Sequence, residues 1–390
     1  MVSRTLAGAL ESAVHSFPVI TVTGPRQSGK TTLLRAAFPE YHYANLEATD
    51  QRRIAEDDPR GLISRYIDQG IVIDEAQRVP DLFSYVQTIV DEHRGLSRVI
   101  LSGSQHFLLL ERITQSLAGR AMILHLQPFT TLELPRVLDG PLDTVLFNGL
   151  YPPLHDRKIE PAAFYPAYIQ SYVERDVRMV RNVGDLSAFS RFVQLCAGRI
   201  GSLLNLSGLA NELGVDHKTV RAWLSVLEAS FIVFLLQPHH RNFNKRVVKQ
   251  PKLYFYDTGL ACSLLGLQSS SQLATHYLRG GIFENFVIAE HRKMVEHTGR
   301  TPRMYFWRDN TGTEVDLIVE HGPDLSAVEI KSGATLNADF TRSLRKFQAY
   351  SGTPPGRCHL VYGGELEYSG EPARVWSWRH LPDLCAALAM

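Results

Sequence analysis

The chain has 390 residues, 41 Lys and Arg against 40 Asp and Glu, four cysteines and 44% hydrophobic residues, and at about 100–200 residues per domain this length predicts two or three domains. A charged share of 21% excludes a disordered tail protein, a collagen-like repeat and a coiled-coil rod. No apolar run approaches the ~18 residues of a membrane span, and Glu11 and His15 interrupt the first apolar stretch, so the expectation is a cytoplasmic protein with no membrane partner and no secretory leader. Cys196, Cys262, Cys358 and Cys385 form no C-x-x-C pair and read as buried thiols.

The net charge of +1 hides a distribution. Residues 1–150 carry 14 basic and 17 acidic side chains, residues 151–252 carry 14 and 8, and residues 253–390 carry 13 and 15. A polyanion needs clustered Lys and Arg rather than a basic total, so a nucleic-acid partner is expected at the middle third. The same three segments are the expected domains.

Val19-Ile20-Thr21-Val22-Thr23 reads as a strand, followed by Gly24-Pro25-Arg26-Gln27-Ser28-Gly29-Lys30-Thr31-Thr32 and a helix-like run. This is the phosphate-loop pattern G-x-x-x-x-G-K-[ST]. The glycines let backbone N–H groups face a β-phosphate, Lys30 reaches the β- and γ-phosphates, and Thr31 ligates Mg²⁺, which predicts an ATP–Mg²⁺ site. The apolar run 70–73 ends in Asp74 and Glu75; Asp74 would hold Mg²⁺ through water from a neighbouring strand, and Glu75 would polarise the attacking water of a hydrolysing NTPase. Strand-like runs at 41–46, 98–104 and 121–126 bring the count to five and predict a doubly wound parallel α/β sheet. Ser104 or Ser102 would sense the γ-phosphate. Arg120, at the entry to the fifth strand, would act in cis or as a finger toward a neighbouring copy, which would require a homo-oligomer.

Residues 161–200 read as a helical lid, with Tyr168, Tyr172 and Val173 on one stripe and Glu174, Arg175, Asp176, Arg178 and Arg181 on the other. Residues 206–224 read as helix, turn at Gly214, and a second helix capped by Asp216, with Lys218 and Arg221 near its exposed start. Strand-like runs at 231–236 and 253–256 flank Arg241, Lys245, Arg246, Lys249 and Lys252, which predicts a winged helix binding DNA through these cations. In the last third, a helix carrying Glu284 precedes strands at 304–308, 314–319 and 327–332. Alternation puts Glu329 and Lys331 on one face, and a hairpin would bring Asp316 beside them. Such carboxylates bind Mg²⁺ or Mn²⁺, with Glu284 a further ligand or its orienter, and Lys331 would orient the water of phosphodiester hydrolysis.

These residues together resemble a widespread family of bacterial and archaeal AAA-like P-loop ATPases with a C-terminal PD-(D/E)XK nuclease-type domain. The resemblance spans nearly the whole chain and rests on 24–32 (GPRQSGKTT), 73–77 (IDEAQ), 102–104, 117–120 (LAGR), 252–260 (KLYFYDTGL), 281–285 (GIFEN), Trp307-Arg308, 314–316 (EVD) and 329–331 (EIK). It implies an AAA-like core, a winged-helix region and a restriction-endonuclease-like fold, with functional positions at Lys30, Thr31, Asp74, Glu75, Glu284, Asp316, Glu329 and Lys331. Two functions are expected from it: an Mg²⁺-dependent ATPase that remodels DNA, including branched or junction DNA, with a metal-dependent nuclease; or a regulatory ATP-binding switch whose last domain binds a partner without cutting.

Overall fold

β-Branched and apolar residues build two sheets, each in its own unit. The computed structural model describes residues 2–93, 98–103, 116–172, 185–239 and 249–389. One unit comprises Met1–Phe129 with Ala229–Phe231 and Glu296–Arg300, and the other comprises Thr130–Glu228, Ile232–Val295 and Thr301–Met390. Among the described residues no helix is long and apolar enough to cross a membrane, and all four cysteines are buried and free.

The first unit is a five-stranded sheet of β1 (Val19–Thr23), β2 (His42–Asn45), β3 (Ile71–Asp74), β4 (Val99–Gly103) and β5 (Ala121–His125), ordered β2-β3-β4-β1-β5. Every pairing is parallel. Alternation sends Val19, Ile71, Ile73, Val99 and Leu101 to one apolar layer and Ile20, Val22, Val72 and Ile100 to the other, so helices cover both faces. One expectation changes: β4 lies between the phosphate-loop strand β1 and the acidic strand β3, which are therefore not neighbours.

The second unit holds β6 (Val233–Pro238), β7 (Lys252–Phe255), β8 (Met304–Arg308), β9 (Glu314–His321), β10 (Asp324–Lys331), β11 (Cys358–Tyr362) and β12 (Arg374–Ser377), ordered β12-β11-β10-β9-β8-β6-β7. β8, β9 and β10 form an antiparallel meander, and β11 and β12 extend it in parallel. β6 pairs antiparallel with β7 and parallel with β8, so the boundary expected at residue 252 runs through one sheet. Helices Leu186–Ala197, Leu206–Leu213 and His217–Ala229 precede β6, and Leu203 forms an isolated antiparallel bridge with Lys252. Gly214 ends the second of them at φ 69°, and the Val215 N–H returns to Ala210 O, a glycine C-cap that starts the turn.

Helix Arg279–His297 is docked by Asn285. Its Oδ1 accepts from Phe255 N at 2.6 Å and its Nδ2 donates to Phe255 O at 2.9 Å, in a fully buried position. Asn285→Ala would strand one buried donor and one buried acceptor and should lower the stability of the second unit by about 2–4 kcal/mol. Urea unfolding of the two proteins checks this; an unchanged midpoint would remove Asn285 from the docking role.

Candidate functional site

The loop after β1 is shaped by what a side chain would collide with. A Cβ on Gly24 (φ 150°) would fall 2.1 Å from Leu126 O, and Gly29 (φ 93°) caps helix Lys30–Ala37. Lys30 is buried, with its Nζ donating to Gly24 O at 2.9 Å and Pro25 O at 2.8 Å across the loop. Ser28 Oγ is buried without a hydrogen-bond partner. Arg4, which sequence reading passed over, closes the loop from behind: Nη1 donates to Ser28 O at 2.7 Å and Nη2 to Gln127 O at 2.6 Å. A glycine-tight turn, a buried ammonium and a helix N-terminus are what a nucleotide's phosphates require, so the residues present fit ATP with Mg²⁺.

Asp74 draws the elements together. Thr31 Oγ1 donates to its Oδ2 at 2.6 Å, Tyr43 from β2 donates to the same oxygen, and Ser102 from β4 donates to Oδ1 at 2.7 Å. Burial pushes the carboxyl up, but the Thr31, Tyr43 and Ser102 hydrogen bonds and the Lys30 charge together hold it below the usual aspartate range. Tyr43 was not anticipated from sequence; the Arg35 guanidinium lies 4.1 Å from its ring centre. Glu75 takes a left-handed backbone (φ 57°), its N–H meets Asp74 Oδ1 at 3.1 Å, and its Oε2 accepts from Gln77 Nε2 at 2.6 Å.

Two expectations bear on the strand ends around this site. Of the serine pair, Ser102 is the one seen on Asp74; Ser104 lies outside the described residues. Arg120 precedes β5, and Ala121 is level with Val19 at the start of β1, so about 13 Å of strand separates it from the phosphate loop at the far end. It pairs there with Asp91, Nε to Oδ1 at 2.6 Å and Nη2 to Oδ2 at 2.9 Å, which speaks against the cis role.

The second unit gathers four acids and two lysines. Ile330 N donates to Asp316 Oδ2 at 2.8 Å, and Lys331 Nζ bonds Glu329 Oε1 and lies 3.8 Å from Asp316 Oδ2. The Ser343 side chain also hydrogen-bonds the Glu329 carboxylate, whose Oε2 is buried. Burial and the Asp316 charge push Glu329 up to about 8 against the pull of Lys331. Oxygens of Glu284, Glu314 and Asp316 also all lie within 4.8 Å of one another. Glu284 Oε1 accepts from Lys252 Nζ at 2.9 Å and from Tyr254, and Lys252 also pairs with Glu314. Burial pushes Glu284 up to about 7, opposed by Lys252 and reinforced by Asp316. Lys252, counted by sequence with the exposed wing cations, is thus a buried partner of acids. Glu314 entered the sequence reading only as part of a motif. All-carboxylate donors of this kind suit a hard divalent ion, and the oxygens close enough to share one are those of Glu284, Glu314 and Asp316.

Of the expected DNA contacts, Lys218, Arg221 and Lys249 are exposed, while Arg241, Lys245 and Arg246 lie outside the described residues, as do 173–184 of the expected lid. Asp216 caps helix His217–Ala229 through Lys218 N at 2.6 Å and Thr219 N at 3.2 Å. Arg221 and Lys249 line one cleft of about 420 Å³ with His217, Asn205, Ser207 and Glu228. Asp257 of the 252–260 motif is structural: it caps helix Thr258–Leu264 and accepts from Tyr165 at 2.6 Å and Leu150 N at 2.7 Å.

The parallel sheet with its phosphate loop and Asp74 defines an AAA-type P-loop ATPase, and residues 16–134 match the family model described as AAA domain. Residues 140–271 and 279–381 match two domains of unknown function, DUF8612 and DUF4143. Over 370 residues, 94% of this chain and 81% of each relative, the chain is 32% identical to the uncharacterized proteins Mb2031c of Mycobacterium bovis and Rv2008c of Mycobacterium tuberculosis, and it belongs to their family. Among solved structures it is similar to the Walker-type ATPase PABY2304 of Pyrococcus abyssi, with 15% identity, 68% of this chain and 96% of that one covered, and a TM-score of 0.44. It is also similar to a single-substitution variant of RuvB from Thermotoga maritima, with 15% identity, 59% and 86% covered, and a TM-score of 0.31.

Tyr43→Phe removes one donor from ionised Asp74 and should cost about 1.5–3 kcal/mol at neutral pH. The native pKa of Asp74 is depressed, so this stabilisation is full above the unfolded value of about 3.9 and is lost as pH falls through the native one. Urea midpoints of wild type and Tyr43→Phe should therefore converge in acid; a gap that persists at pH 2 would assign the loss to packing alone.

Proposed function

We propose that the protein hydrolyses ATP at the phosphate loop, binds DNA through the helix pair and its cleft, and cleaves phosphodiesters at the Asp316–Glu329–Lys331 group. The observation that carries the ATPase half is the convergence of Thr31 and Ser102 on Asp74 beside the buried Lys30. When bound, Mg²⁺ neutralises charge on the β- and γ-phosphates. Lys30 and the loop N–H groups hold those phosphates, Thr31 and Asp74 face the ion, and Gln77 orients Glu75. Glu75 accepts the proton of the attacking water as its oxygen bonds the γ-phosphorus and the bond to the β-phosphate oxygen breaks. Ser102, which donates to Asp74 Oδ1, or Ser104 would sense the γ-phosphate. Arg120 would serve a γ-phosphate only in a second copy, after leaving Asp91.

Support for a winged helix comes from the order helix, bridge at Leu203, two helices and the β6–β7 pair, with Lys218, Arg221 and Lys249 exposed near it. Support for a restriction-endonuclease-like fold comes from the helix that precedes the β8–β10 meander and from β11 parallel to β10. In the nuclease half Lys331 would orient water, and Asp316 and Glu329 would hold a divalent ion, which when bound would supply Lewis-acid polarisation of the phosphate. A second reading, a regulatory switch whose last domain binds a partner without cutting, is favoured by the lysine pairing that already balances much of the acidic charge.

Lys30→Ala should abolish nucleotide binding, whereas Glu75→Gln should keep binding and lose turnover by at least about 100-fold; fluorescent-nucleotide binding and phosphate release separate the two, and normal turnover in Glu75→Gln would remove it as base. Forked and four-way DNA incubated with Mg²⁺ or Mn²⁺ should be cut by wild type and not by Glu329→Ala or Lys331→Ala. Intact DNA alongside normal ATP turnover would favour the switch.

A further inference from the structure

The Glu284–Glu314–Asp316 triad has the make-up of a divalent-ion site, and it already contains a cation. Lys252 is 2% exposed. β7 carries it, helix Arg279–His297 carries Glu284, and β9 carries Glu314 and Asp316, so three elements meet on one ammonium. Its Nζ donates to Glu284 Oε1 at 2.9 Å, pairs with Glu314 Oε1, and lies 5.5 Å from the Phe306 ring centre. An ion bound to the same oxygens at about 2.0–2.6 Å would need the volume that Nζ fills and would face its charge at contact distance.

The second pair differs. Lys331 stands 3.8 Å from Asp316 Oδ2 with its side chain 35% exposed, against 3% for Lys252, so its ammonium can swing into solvent and leave Asp316 and Glu329 to an ion, as the buried Lys252 cannot. We propose that Lys252 is a built-in cation of the cluster, standing where a second divalent ion would otherwise bind, so that the unit takes one divalent ion, at Asp316 and Glu329, and not two. This rests on the Asp316–Glu329 reading given above. Lys252 acts as a positioning residue: it fixes Glu284 and Glu314 and sets the charge that Asp316 feels. A chain built this way would run phosphodiester chemistry with a single ion, its second positive charge always in place and independent of metal supply.

The test is Mn²⁺ stoichiometry by electron paramagnetic resonance on the full chain without nucleotide, in an Asp74→Asn background that removes the carboxylate of the other ion site. Wild type should bind one Mn²⁺, Lys252→Met two, Lys252→Arg one, and Glu329→Gln none. Two ions in wild type or Lys252→Arg, or only one in Lys252→Met, would overturn the proposal while leaving the Asp316–Glu329 site standing. No ion in wild type with one in Lys252→Met would overturn the one-ion count and the Asp316–Glu329 reading while leaving Lys252 as the cation of the triad; an ion retained by Glu329→Gln would remove the Asp316–Glu329 reading, and none in either protein removes both. Lys252→Met leaves three acids without their buried partner, so its melting temperature should fall and excess Mn²⁺ should restore it more than it raises wild type. A variant that Mn²⁺ cannot restore also overturns the interchange of lysine and metal.

Discussion

A carboxylate taken out of water has to be met by donors or cations, because the unmet charge costs several kcal/mol. Both candidate sites follow from that constraint, and each meets it differently. In the first unit Asp74 is met by three hydroxyls, from helix Lys30–Ala37, β2 and β4. Its ionised state therefore depends on the relative placement of three elements, and the sheet order that inserts β4 between β1 and β3 is what supplies the third donor. In the second unit four acids share two ammonium groups, and the balance is held by β7, β9, β10 and one helix.

The contrast sets how each site can respond to ligand. Hydroxyl donors can rotate away to leave Asp74 free for the water shell of an ion, at the cost of single hydrogen bonds. A buried ion pair resists separation, since removing either partner strands a charge. The first arrangement suits a site that fills and empties with each turnover; the second suits one whose charge distribution is fixed on folding.

Much of the first unit was legible because its chemistry is local. The glycines, Lys30 and Thr31 are contiguous, and apolar runs of five residues are long enough to name the strands of a parallel sheet. What escaped was non-local. Arg4 and Tyr43 act through contacts made across the fold, 24 residues from Ser28 in one case and 31 from Asp74 in the other, with no spacing rule to reveal them. Arg120 does stand at the entry to the fifth strand, but closeness to a strand in sequence does not tell which end of the sheet is meant, and this end lies away from the phosphate loop. In the second unit, alternation correctly grouped Glu329 with Lys331, but charge counting put Lys252 on a wing. A count of cations carries no direction, and the side chain turns inward at the residue where β7 begins. The three-part division likewise followed charge and motif content, whereas β6 joins two of those parts through backbone pairing, which no side-chain pattern records.

Lys249 lines the cleft beside helix His217–Ala229, and Lys252 lies three residues further along the same segment, inside the acid cluster. Three residues of extended chain span about 10 Å at most, and Lys252 is anchored by β7 pairing on one side and the Leu203 bridge on the other. The exposed cation at the cleft rim and the buried one among the carboxylates are therefore held within that length of each other by the backbone alone, whatever their side chains do.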